Sequence, residues 1–317
     1  MNNTKKGMLG GFNKMQRRIQ VKLRGGLGNQ LHIFAAAWVI SKDLNRPIRV
    51  NGRFLAWTGS NPTRKMELDN FIWPKQARRK IMFVGSSRLL PRQFFVKKLS
   101  LKIIDMFNKS FFKDTKPIDT WQNYQVIKEY ARTSWKIEGH FLSLRWLVRA
   151  FELGFPTRLE LKEASKQLSA MSESKFCAIH IRLTDYLLAP TLFPTLTENY
   201  YLSAVDQMRS LGVSRFVVFS DDPSELSKRY SRLMSNDFIR IADKELTPAE
   251  SFYCMHTSTA IITANSTFSI FAAAFVWRNN GIVITPNVRT FADYKQDLWI
   301  PEEWIQLDHQ TGRKSTK

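Results

Sequence analysis

The sequence predicts an α/β protein built on parallel sheets. Short apolar runs rich in β-branched residues alternate with helical stretches, and each run ends in polar or turn residues. At 317 residues the chain is long enough for two domains with a core each. Strand-helix alternation implies parallel pairing, with binding residues gathered at the carboxyl ends of the strands.

The first unit is the clearest. RIQVKLR alternates in strand fashion, a glycine loop follows, NQLHIFAAAWVISKDL reads as a helix, and RPIRV returns as a strand. Residues 52 to 135 give no readable order of elements. Beyond them KFCAIHIR, RFVVFSDD, TAIITANS and GIVITP read as strands, with YYLSAVDQMRSL and TFSIFAAAFVW as helices between them. No internal repeat occurs. The expected division is a basic tail at 1–17, an N-terminal Rossmann-like domain at 18–155, a C-terminal one at 156–308 and a short tail at 309–317.

Composition narrows the function classes. Lys and Arg number 48 against 27 Asp and Glu, and residues 72 to 118 hold twelve basic side chains and two acidic ones. Such a patch calls for a polyanion. No helix-turn-helix, zinc-finger or aromatic RNA-binding motif accompanies it, so nucleic acid is not an expected partner. Inside the patch Phe95, Leu99, Ile103 and Phe107 recur at helical spacing, with Lys97, Lys98, Lys102 and Lys109 between them. That pattern fits a helix lying on an anionic membrane surface, or else a surface helix packed on the core. From Ser251 to Trp277 no Asp, Glu, Lys or Arg occurs, but His256, Asn265 and eight Ser or Thr residues argue for a buried strand and helix rather than a membrane span. Cys177 and Cys254 form no metal-ligand spacing and suit a reducing compartment, and the N-terminus lacks a signal-peptide core. The expectation is a cytoplasmic protein with peripheral contact to the inner face of the membrane.

Four stretches carry the chemistry. RGGLGNQL places Gly26 and Gly28 where a dinucleotide fingerprint would begin, but Leu31 stands in place of its last glycine, and no P-loop occurs. What remains is a backbone a ligand can approach closely, followed by a helix start with free N–H groups; Asn29 and Gln30 lie at that start. HIRLTDY puts His180 and Arg182 on one strand face with Asp185 just beyond, a setting for a diphosphate because Arg bonds two oxygens at once. VVFSDDP ends a strand in Asp221 and Asp222, which need donors such as ribose hydroxyls or a guanine edge. ITANSTFSIF gathers Asn265, Ser266, Thr267 and Ser269 at a helix start, donors suited to phosphate. Each stretch also has a structural reading: an Arg182–Asp185 ion pair, a helix cap at Asp221 or Asp222, an N-cap at Ser266 or Thr267.

In this order GGLGNQLHIFAAA, IEGHFLSLRWL, HIRLTDY, FSDD and ANSTFSIFAAAF resemble the successive motifs of glycosyltransferase family 11, the bacterial and animal α-1,2-fucosyltransferases. The likeness runs from about Ile19 to Trp304 and takes in IPEEWIQL. It implies a GT-B-like pair of Rossmann-type domains facing a cleft, GDP-fucose as donor, inversion at the anomeric carbon, a glycan or lipid-linked oligosaccharide acceptor, and no metal or cofactor. The absence of any D-x-D agrees on the metal. The family usually shows His-x-Arg-Arg-Gly-Asp; here Leu183 and Thr184 replace the second Arg and the Gly. Ile270 and Phe271 replace the usual aromatic pair, and His140 replaces the usual Tyr, which bears on acceptor and linkage.

The resemblance implies that Arg182 carries the leaving-group charge. His180, Ser266 and Thr267 would help, and Asn29 would face the diphosphate from the other domain. Asp221 and Asp222 are the guanosine candidates, and Asp185, Glu138 and His140 the candidates for general base. Two other classes stay open: a nucleotide-sugar-binding protein without turnover, and a basic nucleic-acid-binding protein.

Overall fold

The computed structural model describes residues 18–52, 55, 64–75, 81–84, 121–133, 136–165, 168, 175–235, 237–241, 246–288 and 299–314. The basic stretch carrying Lys97, Lys98, Lys102 and Lys109 lies outside them, as does the tail at 1–17.

The first half builds on β1 (Ile19–Lys22), α1 (Leu27–Leu44), β2 (Ile48–Asn51), β3 (Phe71–Ile72), β4 (Ile81–Val84), α2 (Tyr124–Thr133), β5 (Lys136–Ile137) and α3 (Leu144–Glu152). Then follow β6 (Glu160–Leu161), β7 (Cys177–Ile181), α4 (Thr184–Leu188), α5 (Glu198–Ser210), β8 (Phe216–Ser220), α6 (Pro223–Arg229), β9 (Phe238–Ile241), α7 (Pro248–Thr257), β10 (Ala260–Ile262), α8 (Thr267–Arg278), β11 (Ile282–Pro286) and β12 (Ile305–Leu307).

Two all-parallel sheets result, as the alternation predicts. The N-terminal sheet runs β4-β2-β1-β5. The C-terminal one runs β12-β11-β10-β7-β8-β9. Counted within itself, the larger sheet has the doubly wound order 6-5-4-1-2-3, whose direction reverses between β7 and β10. The smaller sheet reverses between β1 and β5. Together they make the GT-B-like pair of Rossmann-type units. A two-stranded antiparallel sheet, β3 with β6, ties residues 160–161 back to the first half.

The larger sheet is apolar on both faces because both are covered. Cys177, Ile179 and Ile181 of β7 enter one apolar cluster together with Phe216, Val218, Ile262 and Ile284. Ala178, Val217, Phe219, Ile261 and Val283, the alternate residues, enter the other. That second cluster also contains Ile19, Val21, Ile48 and Val50 of the smaller sheet, so one core runs through both halves.

Helices α1 and α8 fill this core. Both are apolar on nearly every side, as a helix enclosed between layers must be: from Leu31 to Ser41 every residue of α1 is buried, as is Ser269 to Val276 of α8. Aromatic side chains cross the seam. Phe34 meets Trp73 at 4.6 Å and Phe155 at 6.0 Å between ring centroids, Phe155 meets Phe151 at 6.1 Å, and Phe151 meets Phe275 of α8 edge-on at 5.2 Å.

The apolar stretch from Ser251 resolves into most of α7, β10 and α8, and no helix among the described residues is long and apolar enough to cross a membrane. Residues 309–314, expected as a tail, form a docked turn: Asp308 accepts from the backbone of Gln310 and Thr311, and Thr197 at the start of α5 donates to the carbonyls of His309 and Gln310.

Candidate active site

The sequence-predicted residues lie at the carboxyl ends of β7, β8 and β10 on one side and of β1 and β5 on the other. On the first side Arg182 leaves β7. Its Nε donates to Asp185 Oδ1 at 2.8 Å and its Nη1 pairs with Asp221 Oδ2 at 2.9 Å. Asp221, at the end of β8, also accepts from the Leu183 N–H at 2.8 Å and the Thr184 hydroxyl at 2.5 Å. Three consecutive residues thus hang on one carboxylate, which fixes the direction of the Arg182 fork, and its Nη2 has no partner among the described residues. Burial would lower the Arg182 pKa, but the hydrogen bond to Asp185 and the charges of both aspartates raise it overall, so the guanidinium is a permanent cation.

Asp221 and Asp222, the expected guanosine contacts, each make structural bonds as well. Asp221 holds the loop after β7. Asp222 is the N-cap of α6, accepting from the backbone of Ser224 and Glu225 at 3.1 and 3.0 Å ahead of Pro223 at the first helical turn.

His180 stands behind Arg182 as an uncharged neighbour. It lies 4% exposed on the α8 face of β7, 5.4 Å from the Phe268 ring, and its Nδ1 has no hydrogen-bond partner among the described residues. Burial first, and the adjacent Arg182 second, push its pKa down to about 3. It is a neutral ring at any physiological pH, hence no second cation beside Arg182.

The start of α8 behaves partly as predicted. Ser266 is the N-cap, accepting from the Phe268 N–H at 3.4 Å. Asn265 is buried: its side-chain amide donates to the Pro194 carbonyl at 2.9 Å, and its main-chain carbonyl accepts from the Tyr186 hydroxyl. Ser269 is wholly buried and bonds back to Ala264 and Ser266. These two residues shape the turn, and half-buried Thr267 remains the open side chain of the group.

On the facing side the glycine loop meets this helix start directly. A β-carbon on Gly28 would stand 2.5 Å from the Phe268 nitrogen, 2.6 Å from its Cα and 2.7 Å from the Thr267 carbonyl carbon. The first turns of α1 and α8 are thus in backbone contact, and two helix N-termini converge on one region. Each carries about half a positive charge at its end, the ordinary setting for a phosphate group. Gly25 has φ +66° and would also collide with the Asn29 side chain if it bore a β-carbon, so Asn29 lies folded over the loop.

Gln30 is not placed for a ligand: it is wholly buried, donating to the carbonyls of Gly25 and Lys65 and accepting from the Glu67 N–H. At the end of β5, Glu138 accepts from Arg24 at 3.1 Å where the smaller sheet reverses order, and half-buried His140 follows two residues on.

A model of glycosyl transferase family 11 matches residues 18–308. The chain belongs to glycosyltransferase family 11. This family-11 chain is 24% identical over 311 residues to the α-1,2-colitosyltransferase of Escherichia coli, covering 92% of this chain and 99% of the relative. It is 21% identical over 304 residues to the O-antigen biosynthesis glycosyltransferase WbnK of Escherichia coli, covering 90% and 99%. Among solved structures it is similar to the NodZ α-1,6-fucosyltransferase co-crystallised with GDP, at 14% identity and a TM-score of 0.47, over 82% of this chain and 93% of that one.

Within the family-11 chain, sequence reasoning missed one charged group beside these residues. Arg64, in the stretch whose elements were unreadable, approaches Asp185 Oδ2 to 4.0 Å with its Nη2. No periodicity or motif marks it. Asp185 consequently lies between two guanidiniums, and although burial raises its pKa, Arg182 and Arg64 hold it below the usual carboxylate range. Among the described residues no group of three or more His, Cys, Asp or Glu could hold a metal ion.

Proposed function

We propose that this glycosyltransferase transfers L-fucose from GDP-fucose to a hydroxyl of a glycan acceptor, forming an α-1,2 linkage to galactose, in the assembly of a surface polysaccharide such as lipopolysaccharide O-antigen. Family membership supports a glycosyl donor, and the two Escherichia coli relatives, an α-1,2-colitosyltransferase and an O-antigen transferase, support the linkage and the setting. The observation that carries the reading is the convergence of the α1 and α8 N-termini beside the fixed fork of Arg182.

The chemistry follows from that geometry. An acceptor oxygen attacks C1 of the sugar from the face opposite the nucleotide, the C1–O bond breaks, and GDP leaves with the electron pair. Negative charge grows on the β-phosphate in the transition state, where donors already in place lower the barrier without reorganising. Arg182 supplies a charged fork there, and the free N–H groups of both helix starts, with the Thr267 hydroxyl and the Asn29 amide, supply the rest. The acceptor proton passes to a base, for which Asp185, Glu138 and His140 are the groups to substitute. The donor diphosphate meets protein groups and not a metal ion, so transfer should persist in excess EDTA; loss on chelation, restored by manganese, would overturn this part of the reading.

The deciding experiment offers GDP-fucose with a panel of β-galactosides and other oligosaccharides, followed by linkage analysis of the product. A fucosylated galactoside linked α-1,2 is the expected result. Because one relative is a colitosyltransferase, GDP-colitose, whose sugar is 3-deoxyfucose, belongs in the same assay. Transfer from it alone would change the donor, and neither transfer nor hydrolysis from either would leave a binding protein.

A further inference from the structure

Arg64 belongs to no motif, yet its guanidinium lies where the two halves meet. One carboxylate, Asp185, joins it to Arg182: Oδ1 accepts from Arg182 Nε at 2.8 Å, and Oδ2 is 4.0 Å from Arg64 Nη2. From the other side, Arg64 Nη1 lies 3.6 Å from where a β-carbon on Gly26 would be, so the guanidinium sits beside the N-cap of α1.

The segment carrying Arg64 is fastened to the glycine loop. Gln30 donates to the Lys65 carbonyl at 2.7 Å and to the Gly25 carbonyl at 3.1 Å, and accepts from the Glu67 N–H at 3.0 Å. A side chain with no exposed surface thus spends three hydrogen bonds on the backbone just beyond Arg64 and on the loop it faces. An ion pair that is one-third exposed at one partner, half exposed at the other and 4.0 Å long contributes little to stability. Such fastening is better explained by a ligand.

The place Asp185 occupies points the same way. Arg64 and Arg182 are balanced by Asp185 and Asp221, so the cluster is neutral without an anion. A carboxylate between two guanidiniums occupies the kind of place a phosphate fills with better geometry, since each fork can then bond two oxygens. Leu183, which stands where the family pattern has its second arginine, is wholly buried in the apolar cluster behind β7 and offers nothing to a ligand.

We infer that Arg64 is a donor-binding residue, the second guanidinium on the diphosphate, reaching from the N-terminal half to the leaving group held by Arg182, with Asp185 keeping the place between them until the donor arrives. This rests on the reading of a nucleoside diphosphate donor.

The test is a binding ladder of guanosine, GMP and GDP, measured by calorimetry and ligand-detected NMR on the full chain, with Arg64→Ala and Arg64→Lys beside the wild type. Arg64→Ala should weaken GDP by about tenfold or more, the scale of a lost hydrogen bond to a charged group, while leaving guanosine unchanged. Arg64→Lys should recover part of the loss, and the thermal midpoint without ligand should be the same in all three. Wild type that binds GDP, with Arg64→Ala binding it equally well, overturns this inference alone. Equal loss of guanosine and GDP would make Arg64 structural and also overturn it. Wild type that binds no guanine nucleotide would overturn the donor reading and this inference together.

Discussion

Gly28→Ala tests the contact on which the site depends. The new β-carbon would lie 2.5–2.7 Å from three backbone atoms of Thr267 and Phe268. No rotamer can relieve a clash with backbone, so α1 and α8 must separate by about 1 Å to restore an ordinary non-bonded distance. Overpacking of this kind costs roughly 1–3 kcal/mol. At about 2 °C per kcal/mol for a chain of this size, the thermal midpoint should fall by roughly 2–6 °C. Activity should suffer more than stability, since a misplacement of about 1 Å between catalytic groups costs about a hundredfold in rate. Gly26→Ala is the control for stability alone: its nearest neighbour is Arg64 Nη1 at 3.6 Å, and its φ of −76° is open to any residue. The assays are differential scanning fluorimetry and single-turnover transfer from GDP-fucose. Gly28→Ala with a wild-type midpoint and rate would refute the claim that the two helix starts are held in fixed register.

Arg182→Ala should lower turnover by about a hundredfold or more with the fold intact, and Arg182→Lys should fail nearly as badly because a point charge cannot replace a fork; near-normal rates in either would remove Arg182 from the leaving group. Stability should decline on acidification: burial holds His180 at about 3 and His256 at about 4, whereas both titrate near 6.5 unfolded. Protons then bind the unfolded chain preferentially, so the stabilisation is complete above about pH 6.5 and fades as pH falls toward 4. A midpoint that stays flat between pH 7 and 4.5 would contradict the burial of neutral imidazoles. The protein should co-sediment with anionic liposomes at low salt and be released by high salt, each lysine contributing about 1 kcal/mol near the surface. Changing Lys97, Lys98, Lys102 and Lys109 to Glu should abolish this while sparing transfer to a small soluble acceptor; binding untouched by the substitutions would refute the membrane role.

What the sequence made legible was set by how local each signal is. The strand–glycine–helix start and the strand ends at Arg182 and Ser266 are local patterns, and the structure brings them together. Alternation along HIRLTDY placed His180 on the face shared with Arg182, but a strand pattern gives a face and not a depth, and depth makes that ring neutral. Asp221 and Asp222 look alike in sequence, yet one stiffens the neighbouring strand loop and the other caps a helix; only the first partnership spans 38 residues and is unreadable from spacing. Gln30 and Arg64 are legible from the fold alone, because the partners of Gln30 lie 35 and 37 residues away in a stretch with no periodicity. The short strands β3, β6, β9 and β12 escaped for a related reason: they complete sheet edges, where packing on one neighbour decides the pairing.

The run of rings from Trp73 through Phe34, Phe155 and Phe151 to Phe275 bears on how this enzyme could be re-engineered. Glycosyltransferases of two Rossmann-type units invite recombination, one parent giving the acceptor half and another the donor half. In this chain a crossover near residue 155 would cut through shared packing, leaving Phe151 from one parent against whatever the other carries opposite, and would pair a glycine loop with a helix start it had not evolved to touch. Functional hybrids should therefore be those that move α1, α3 and α8 as one block, with the exchange points placed in the strands and loops on either side.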